Sequence, residues 1–160
     1  AIGDMVDGVP FEPQDYAALN GERLYFPRLS TVECAFIDWS WPADEIARFC
    51  HAFDAPYAGA ASFLDGTEVR LKDVRLEDSG PSFHSFTAGL VVRRDGDVAW
   101  VAARNGLLRV GSAVAGDKDA MARLKEGRRL HTPAKRLEHA RSFRPRLGAE
   151  GFSGKDSGLE

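Results

Sequence analysis

The hydrophobic positions of this chain change period once, near residue 60. Before that point Ile46, Phe49, Cys50 and Phe53 follow an i, i+3, i+4, i+7 spacing, which puts them on one face of a helix. Ser40 is placed to cap this helix, and Pro42 suits its first turn, where a missing N–H costs nothing. Asp44 and Glu45 bring negative charge to the end that the helix dipole favours. Arg48 and His51 lie off the apolar face. Pro56 ends the helix, because the residue before a proline avoids the α region. Gly59 gives the backbone room to turn or to approach a neighbour closely.

After residue 60 the pattern becomes that of short strands. Ser62–Leu64 leads to Asp65-Gly66, and Val69 and Leu71 then alternate with charged residues. Val74 and Leu76 continue out of phase, so a β-bulge is expected between 71 and 74. Ala88–Arg93 and Val98–Ala103 flank Asp95-Gly96, and Leu107–Val110 follows Asn105-Gly106. Asp-Gly and Asn-Gly between β-rich runs signal hairpins, since the favoured turns need positive φ. Repeated turns at this spacing predict a small antiparallel barrel or sandwich. Further on, Asp119–Glu126 reads as a short helix stopped by Gly127. Thr132-Pro133 opens another, with Thr132 as cap and Pro133 at the first helical position, running to about Phe143.

The fold class that follows is mainly β with flanking helices: a small antiparallel OB-like β-barrel preceded by one helix and followed by a helical C-terminal extension. The expected core holds Ile37, Trp39, Ile46, Phe49, Phe53, Leu71, Val91, Trp100, Val101 and Leu108. The termini read differently. Ile2, Met5 and Val6 suit the end of a helix stopped by Gly8 and Pro10. Residues 16–36 read as linker, with one extended piece at Leu24–Leu29 in which Pro27 argues against a central strand. Residues 148–160 are rich in Gly and Ser and are expected to be a flexible tail.

Composition narrows the function classes. The 160 residues suffice for a real core, and the hydrophobic fraction is that of a soluble globular protein. The formal net charge of −3 implies no partner by itself. The two cysteines, Cys34 and Cys50, form no C-x-x-C pair, and a reduced, cytoplasmic setting is expected. No apolar run is long enough to span a bilayer, and no signal peptide is visible. Charge is uneven, however: residues 117–146 carry ten Lys/Arg against four Asp/Glu, a local net of +6. Such a block is either a solvated helical face or a phosphate-binding patch.

The strings Ile37-Asp38-Trp39, Ala43-x-Glu45-Ile46-x-Arg48 and Ala52-Phe53-x-x-Pro56-Tyr57-x-Gly59-Ala60 resemble the opening of the C-terminal domain of folate-dependent formyltransferases. That family includes methionyl-tRNA formyltransferase and enzymes that formylate nucleotide-linked amino sugars. The tRNA enzymes usually carry Pro-Trp-Pro-Gly-Ala in this loop. Here the second proline is absent and Tyr57 stands for Trp. Gly8 through Gln14-Asp15 resembles the close of the family's catalytic domain and the start of its linker. Phe83-His84-x-Phe86-x-Ala88-Gly89-Leu90 and Thr132-Pro133-x-Lys135-x-Leu137-Glu138-x-Ala140 are similar to the later part of the sugar-modifying enzymes. The implied division is 1–36 for the end of a catalytic domain and linker, 37–116 for the OB-like domain, 117–147 for a basic helical extension and 148–160 for the tail.

The resemblance implies a parent enzyme that moves a formyl group from 10-formyltetrahydrofolate to a primary amine. No cofactor is expected in this chain itself. The family's catalytic Asn, His and Asp belong to an N-terminal domain and carry over to no residue here, so no catalytic residue is assigned. No metal site is assigned either, since His51, His84, His131 and His139 lack zinc spacing with one another and with the cysteines. Candidates for contact on the acceptor side are Arg48, His51, Tyr57 and His84. Each also has a structural reading, His84 above all, as a histidine held between Phe83 and Phe86. The alternative, a tRNA-binding domain, would use Arg123, Lys125, Arg128, Arg129, Lys135 and Arg136 on phosphates. A third reading is a stand-alone β-barrel for protein interaction. The expected partners are the chain's own N-terminal catalytic domain and, as a further option, a second copy in a homodimer. Nucleic acid and membrane are not expected.

Overall fold

The structure, a computed structural model, describes residues 29–148 and 151–153, with side chains described for 29–145. The readings made above for Ile2–Pro10, Gly8–Asp15 and most of Leu24–Leu29 lie outside the described residues. A short helix α1 (Thr31–Cys34) and the helix α2 (Ala43–Ala52) precede the strands β1 (Ala60–Leu64), β2 (Thr67–Leu76), β3 (Val91–Asp95), β4 (Val98–Ala103) and β5 (Gly106–Ala115). Then come β6 (Lys118–Asp119), β7 (Leu130–His131), α3 (Ala134–Ser142) and a hairpin of β8 (Arg146–Gly148) with β9 (Gly151–Ser153). The second strand of this hairpin lies where a loose tail was expected, and the first begins at the end of the expected helical extension.

The first seven strands form one antiparallel sheet in the order β3-β4-β5-β2-β1-β7, with β6 beside β5. The sheet curls until its edges meet. Val91 N–H donates to the Arg128 carbonyl (2.8 Å), Gly127 N–H to that of Val91 (2.9 Å) and Leu130 N–H to that of Gly89 (2.8 Å). This is the OB-like, mostly β architecture that the alternation and turns predict. Val69, Leu71, Val91, Ala99, Val101, Leu108 and Val110 point into the curl. Helix α2 lies against β2 and β5 and adds Ala43, Ile46 and Cys50 to the same core. Phe49 is only partly buried, and Trp100, although buried, lies outside the core cluster. On the sheet's other face Arg93 stacks over its indole at 3.5 Å, and its N–H donates to Glu77 at 3.1 Å.

The phase slip in β2 is real, but no extra residue makes it. The register with β5 is the same on both sides: Lys72 opposes Ser112 and Val74 opposes Val110. Between them Asp73 adopts φ 47° and faces Gly111, where an added Cβ would come within 2.2 Å of the Asp73 carboxylate. Both strands change phase together, so the Leu71–Ala113 and Val74–Val110 pairs all point inward. The true bulge is at Val92 in β3, where the register shifts against β4.

Several local readings are corrected. Ser40 does not cap α2: its hydroxyl and N–H both donate to Asp38 Oδ1, at 2.7 and 2.9 Å, and Pro42 takes the cap position. Thr132 does not cap α3, since its hydroxyl donates to the Ile37 carbonyl at 2.6 Å. Asp119–Glu126 is not an α-helix but the end of β6 followed by a 3-10 turn at Met121–Arg123. Met121, Leu124 and Leu130 are buried in the core, so the segment from 117 to 131 folds with the sheet. Ala35 and Phe36, just before Ile37, also belong to the body: Ala35 and Ile37 exchange backbone hydrogen bonds with Ala61 on β1.

Candidate functional site

The residues that carry the family resemblance mostly hold the fold together. The Trp39 indole N–H donates to Ser62 Oγ (2.9 Å), and the Ser62 hydroxyl donates to the His131 carbonyl (3.1 Å), so one buried chain of bonds ties three segments. Gly59, at φ 99°, sits where a Cβ would meet the Leu71 carbonyl at 2.7 Å. Asp54 leaves α2 and accepts the Asp73 N–H (2.8 Å), which anchors the Pro56–Tyr57 turn to the kink of β2. These contacts explain the resemblance without chemistry.

The four acceptor-side candidates are not brought together. Arg48 is exposed and pairs with Asp44 one turn earlier (3.1 Å). His51 is exposed, and Tyr57 is 53% exposed on the turn after α2. His84 lies towards the other end of the helix: Phe83 bridges Arg104, whose carbonyl accepts the Ala43 N–H at the start of α2. A ten-residue helix separates these ends by about 15 Å. His84 Nδ1 accepts the Phe86 N–H (3.1 Å) and caps the 3-10 turn Ser85–Thr87, which is the structural role. That turn holds Phe86 out at 78% exposure, and Arg129 braces it by stacking at 5.5 Å and donating to the Phe86 carbonyl at 2.7 Å.

The basic candidates are also divided. Arg123 donates to the Leu64 carbonyl (3.4 Å), and Arg128 pairs with Asp65 (3.1 Å), both at the β1–β2 turn. Arg129 serves the Phe86 turn. On α3, Arg136 stands 5.7 Å over the ring of Phe36, and Lys135 is exposed. Lys125 is exposed beyond the Met121–Arg123 turn. Four of the six thus have partners within the chain.

One concavity was not foreseen. Between α2 and α3 runs a groove of about 240 Å³, lined by Phe36, Trp41, Phe49, Leu137 and Phe143 together with Leu29, Cys34, Arg141 and Arg144. Trp41 meets Phe49 edge-on at 5.1 Å. Leu137, Ala140 and Arg141 share one face of α3 at i, i+3, i+4, and this spacing was the available signal. The high charge of α3 concealed it. The helix is held from its flanks, by His139 Nε2 against Glu33 (2.8 Å) and by Arg141 on Asp38. Both cysteines are free and buried. Burial, helped by Asp54, pushes the Cys50 thiol up to about 12, while Cys34 borders the groove.

A family model described as "Formyl transferase, C-terminal domain" matches residues 30–125. The chain belongs to that family. Among solved structures, a multiply substituted variant of HypX from Aquifex aeolicus is similar to this formyl transferase C-terminal domain, with a TM-score of 0.50 at 18% identity. The likeness is one of fold. It covers 71% of this chain and 18% of the HypX chain, so this chain spans about a fifth of the length of the structure it matches. A search of curated proteins finds no match. Among the described residues no helix is long and apolar enough to cross a membrane.

Proposed function

We propose that this formyl transferase C-terminal domain is the acceptor-side or assembly domain of a 10-formyltetrahydrofolate-dependent N-formyltransferase, serving a catalytic domain outside these 160 residues. The match over residues 30–125 carries the reading. The folate-derived donor belongs to the parent enzyme and is held by its catalytic domain. The acceptor is an amine on a nucleotide-linked sugar, and the enzyme works in the cytoplasm, where the two free thiols stay reduced. Support for the sugar acceptor over tRNA comes from the basic residues, since Arg123, Arg128 and Arg129 are occupied by Leu64, Asp65 and the Phe86 turn. The Phe83–Leu90 turn, with Phe86 held out by His84 and Arg129, is the face assigned to the catalytic domain and the acceptor.

Formylation assays test this, with 10-formyltetrahydrofolate and either a nucleotide-linked amino sugar or methionyl-tRNA. The chain alone should give no product with either. An intact enzyme carrying this domain should formylate the sugar, and Phe86→Ser should raise its KM for the acceptor about tenfold. Product from methionyl-tRNA alone would move the assignment to the tRNA enzyme. Failure of an intact enzyme with both acceptors would favour a protein-interaction module.

A further inference from the structure

We propose that the groove between α2 and α3 binds a small aryl carboxylate: one aromatic ring with an acid on a short arm. The lining suits the ring. Phe36, Trp41, Phe49 and Phe143 supply four aromatic side chains, and Leu137 adds an aliphatic surface. Aromatic rings meet one another edge-on or offset, as Trp41 already meets Phe49. A dry apolar cavity of about 150 Å³ takes one benzene ring. At about 240 Å³ the groove has room for a ring and a short arm, and it is smaller than sites for drug-sized ligands.

The charges on the lining select an anion and orient it. Arg141 is matched by Asp38. Arg144 has no carboxylate partner among the described residues. Its Nη1 donates to the carbonyls of Arg141 and Phe143, both at 2.9 Å, which holds the head group at the end of α3. That leaves the Nε–Nη2 edge of the guanidinium to a ligand. The two N–H bonds of this edge run parallel and fit the two oxygens of a carboxylate. A carboxylate is costly to take out of water unless it is paired in this way. Past Trp41 and Phe49 the surface shallows towards Glu45 and Arg48. Arg48 is paired with Asp44, and Glu45 repels an anion, so the acid of the ligand goes to the Arg144 end. The site stands whether or not the parent enzyme transfers formyl groups.

The probes are phenylpropionate and its neutral amide, phenylpropanamide, titrated into the isotopically labelled full chain. The indole N–H signal of Trp41, assigned by its loss in Trp41→Phe, reports the groove, and buried Trp39 and Trp100 serve as controls. Phenylpropionate should shift the Trp41 signal saturably, with a Kd of about 1 mM or tighter, as befits a ligand of few atoms. The amide should bind about tenfold more weakly, through loss of the charge-assisted pair. Arg144→Gln should bring the acid down to the affinity of the amide and leave the amide unchanged, a pattern that a misfolded groove would not produce. Leu137→Ser should weaken both. Equal binding of acid and amide overturns the proposal, as does equal loss of both in Arg144→Gln. A Trp41 signal still unmoved at ten times the expected Kd also overturns it, and is the result if other parts of the chain fill the groove. A Trp41 shift that follows protein concentration without any probe overturns it in favour of a second copy.

Discussion

Phe49 and Ile46 occupy the same face of α2, one turn apart, yet they do different work. Ile46 is fully buried against the sheet, while Phe49 is only partly buried, packed against core Phe53 on one side and Trp41 on the other, and lines the groove. A fully buried aromatic costs about 3–5 kcal/mol on truncation to Ala. Phe49→Ala should fall short of that, at about 2 kcal/mol, and Ile46→Ala should cost more, about 3–4 kcal/mol. Urea unfolding of the two variants checks the order, and a larger loss at Phe49 would mean that the groove is part of the core. Cys50, on the same helix, gives the chain an alkaline limit. Its thiol stays protonated in the folded state up to about 12, whereas in the unfolded chain it ionises near the ordinary value of 9.0. The unfolded state therefore binds fewer protons between these values, and stability falls as pH rises from 9 towards 12. Below 9 the contribution is complete. Cys50→Ala should remove this part of the alkaline slope of the melting temperature, although it lowers stability at neutral pH.

At the scale of elements, α2 and the hairpins were legible because their signals are local. A 3.6 period with acidic residues first marks the helix, and Asp65-Gly66, both at positive φ, mark the β1–β2 turn. What misled was competition for single groups. Ser40 and Thr132 have cap chemistry, but Asp38 and the Ile37 carbonyl take their hydroxyls, and only the folded chain brings Thr132 to Ile37. The stretch from 117 to 131 concealed its place in the sheet because Leu124 and Leu130 are isolated apolar anchors among charges. Of the acceptor-side candidates, Arg48, His51 and Tyr57 lie close together in sequence and His84 does not, and the fold sets His84 and Tyr57 towards different ends of α2. Helix α3 buries no residue completely, and polar ties from Glu33, Asp38 and Ile37 hold it. The Arg141–Asp38 tie has one exposed partner, so its loss should cost about 1 kcal/mol. Arg141→Ala should speed hydrogen exchange across Ala134–Ser142 severalfold and leave β4 and β5 unchanged. Equal loosening of helix and sheet would show that α3 is part of the cooperative core.

For the molecule as a whole, the decisive question is whether its basic surface makes a groove for nucleic acid. The sequence shows a block of positive charge between 117 and 146, and counting charges cannot tell a groove from a scatter. The fold distributes the block over three places: the β1–β2 turn, the Phe86 turn and the flank of α3. Arg128 is neutralised by Asp65, and Arg123 and Arg129 are bound to backbone carbonyls. Phosphate contacts dominate affinity for nucleic acid, and each guanidinium already satisfied must first be released. Phe86 is the one strongly exposed aromatic beside these cations among the described residues, and a single stacking platform supports little binding to unpaired bases. Titration of labelled tRNA at about 0.15 M salt should therefore give only weak binding that fades with added salt. Neutralising Lys125 and Lys135, whose side chains are exposed, should weaken even this attraction. Saturable submicromolar binding lost on replacing Arg128 and Arg129 would require those side chains to leave Asp65 and Phe86 for phosphate, and would return the chain to the tRNA reading.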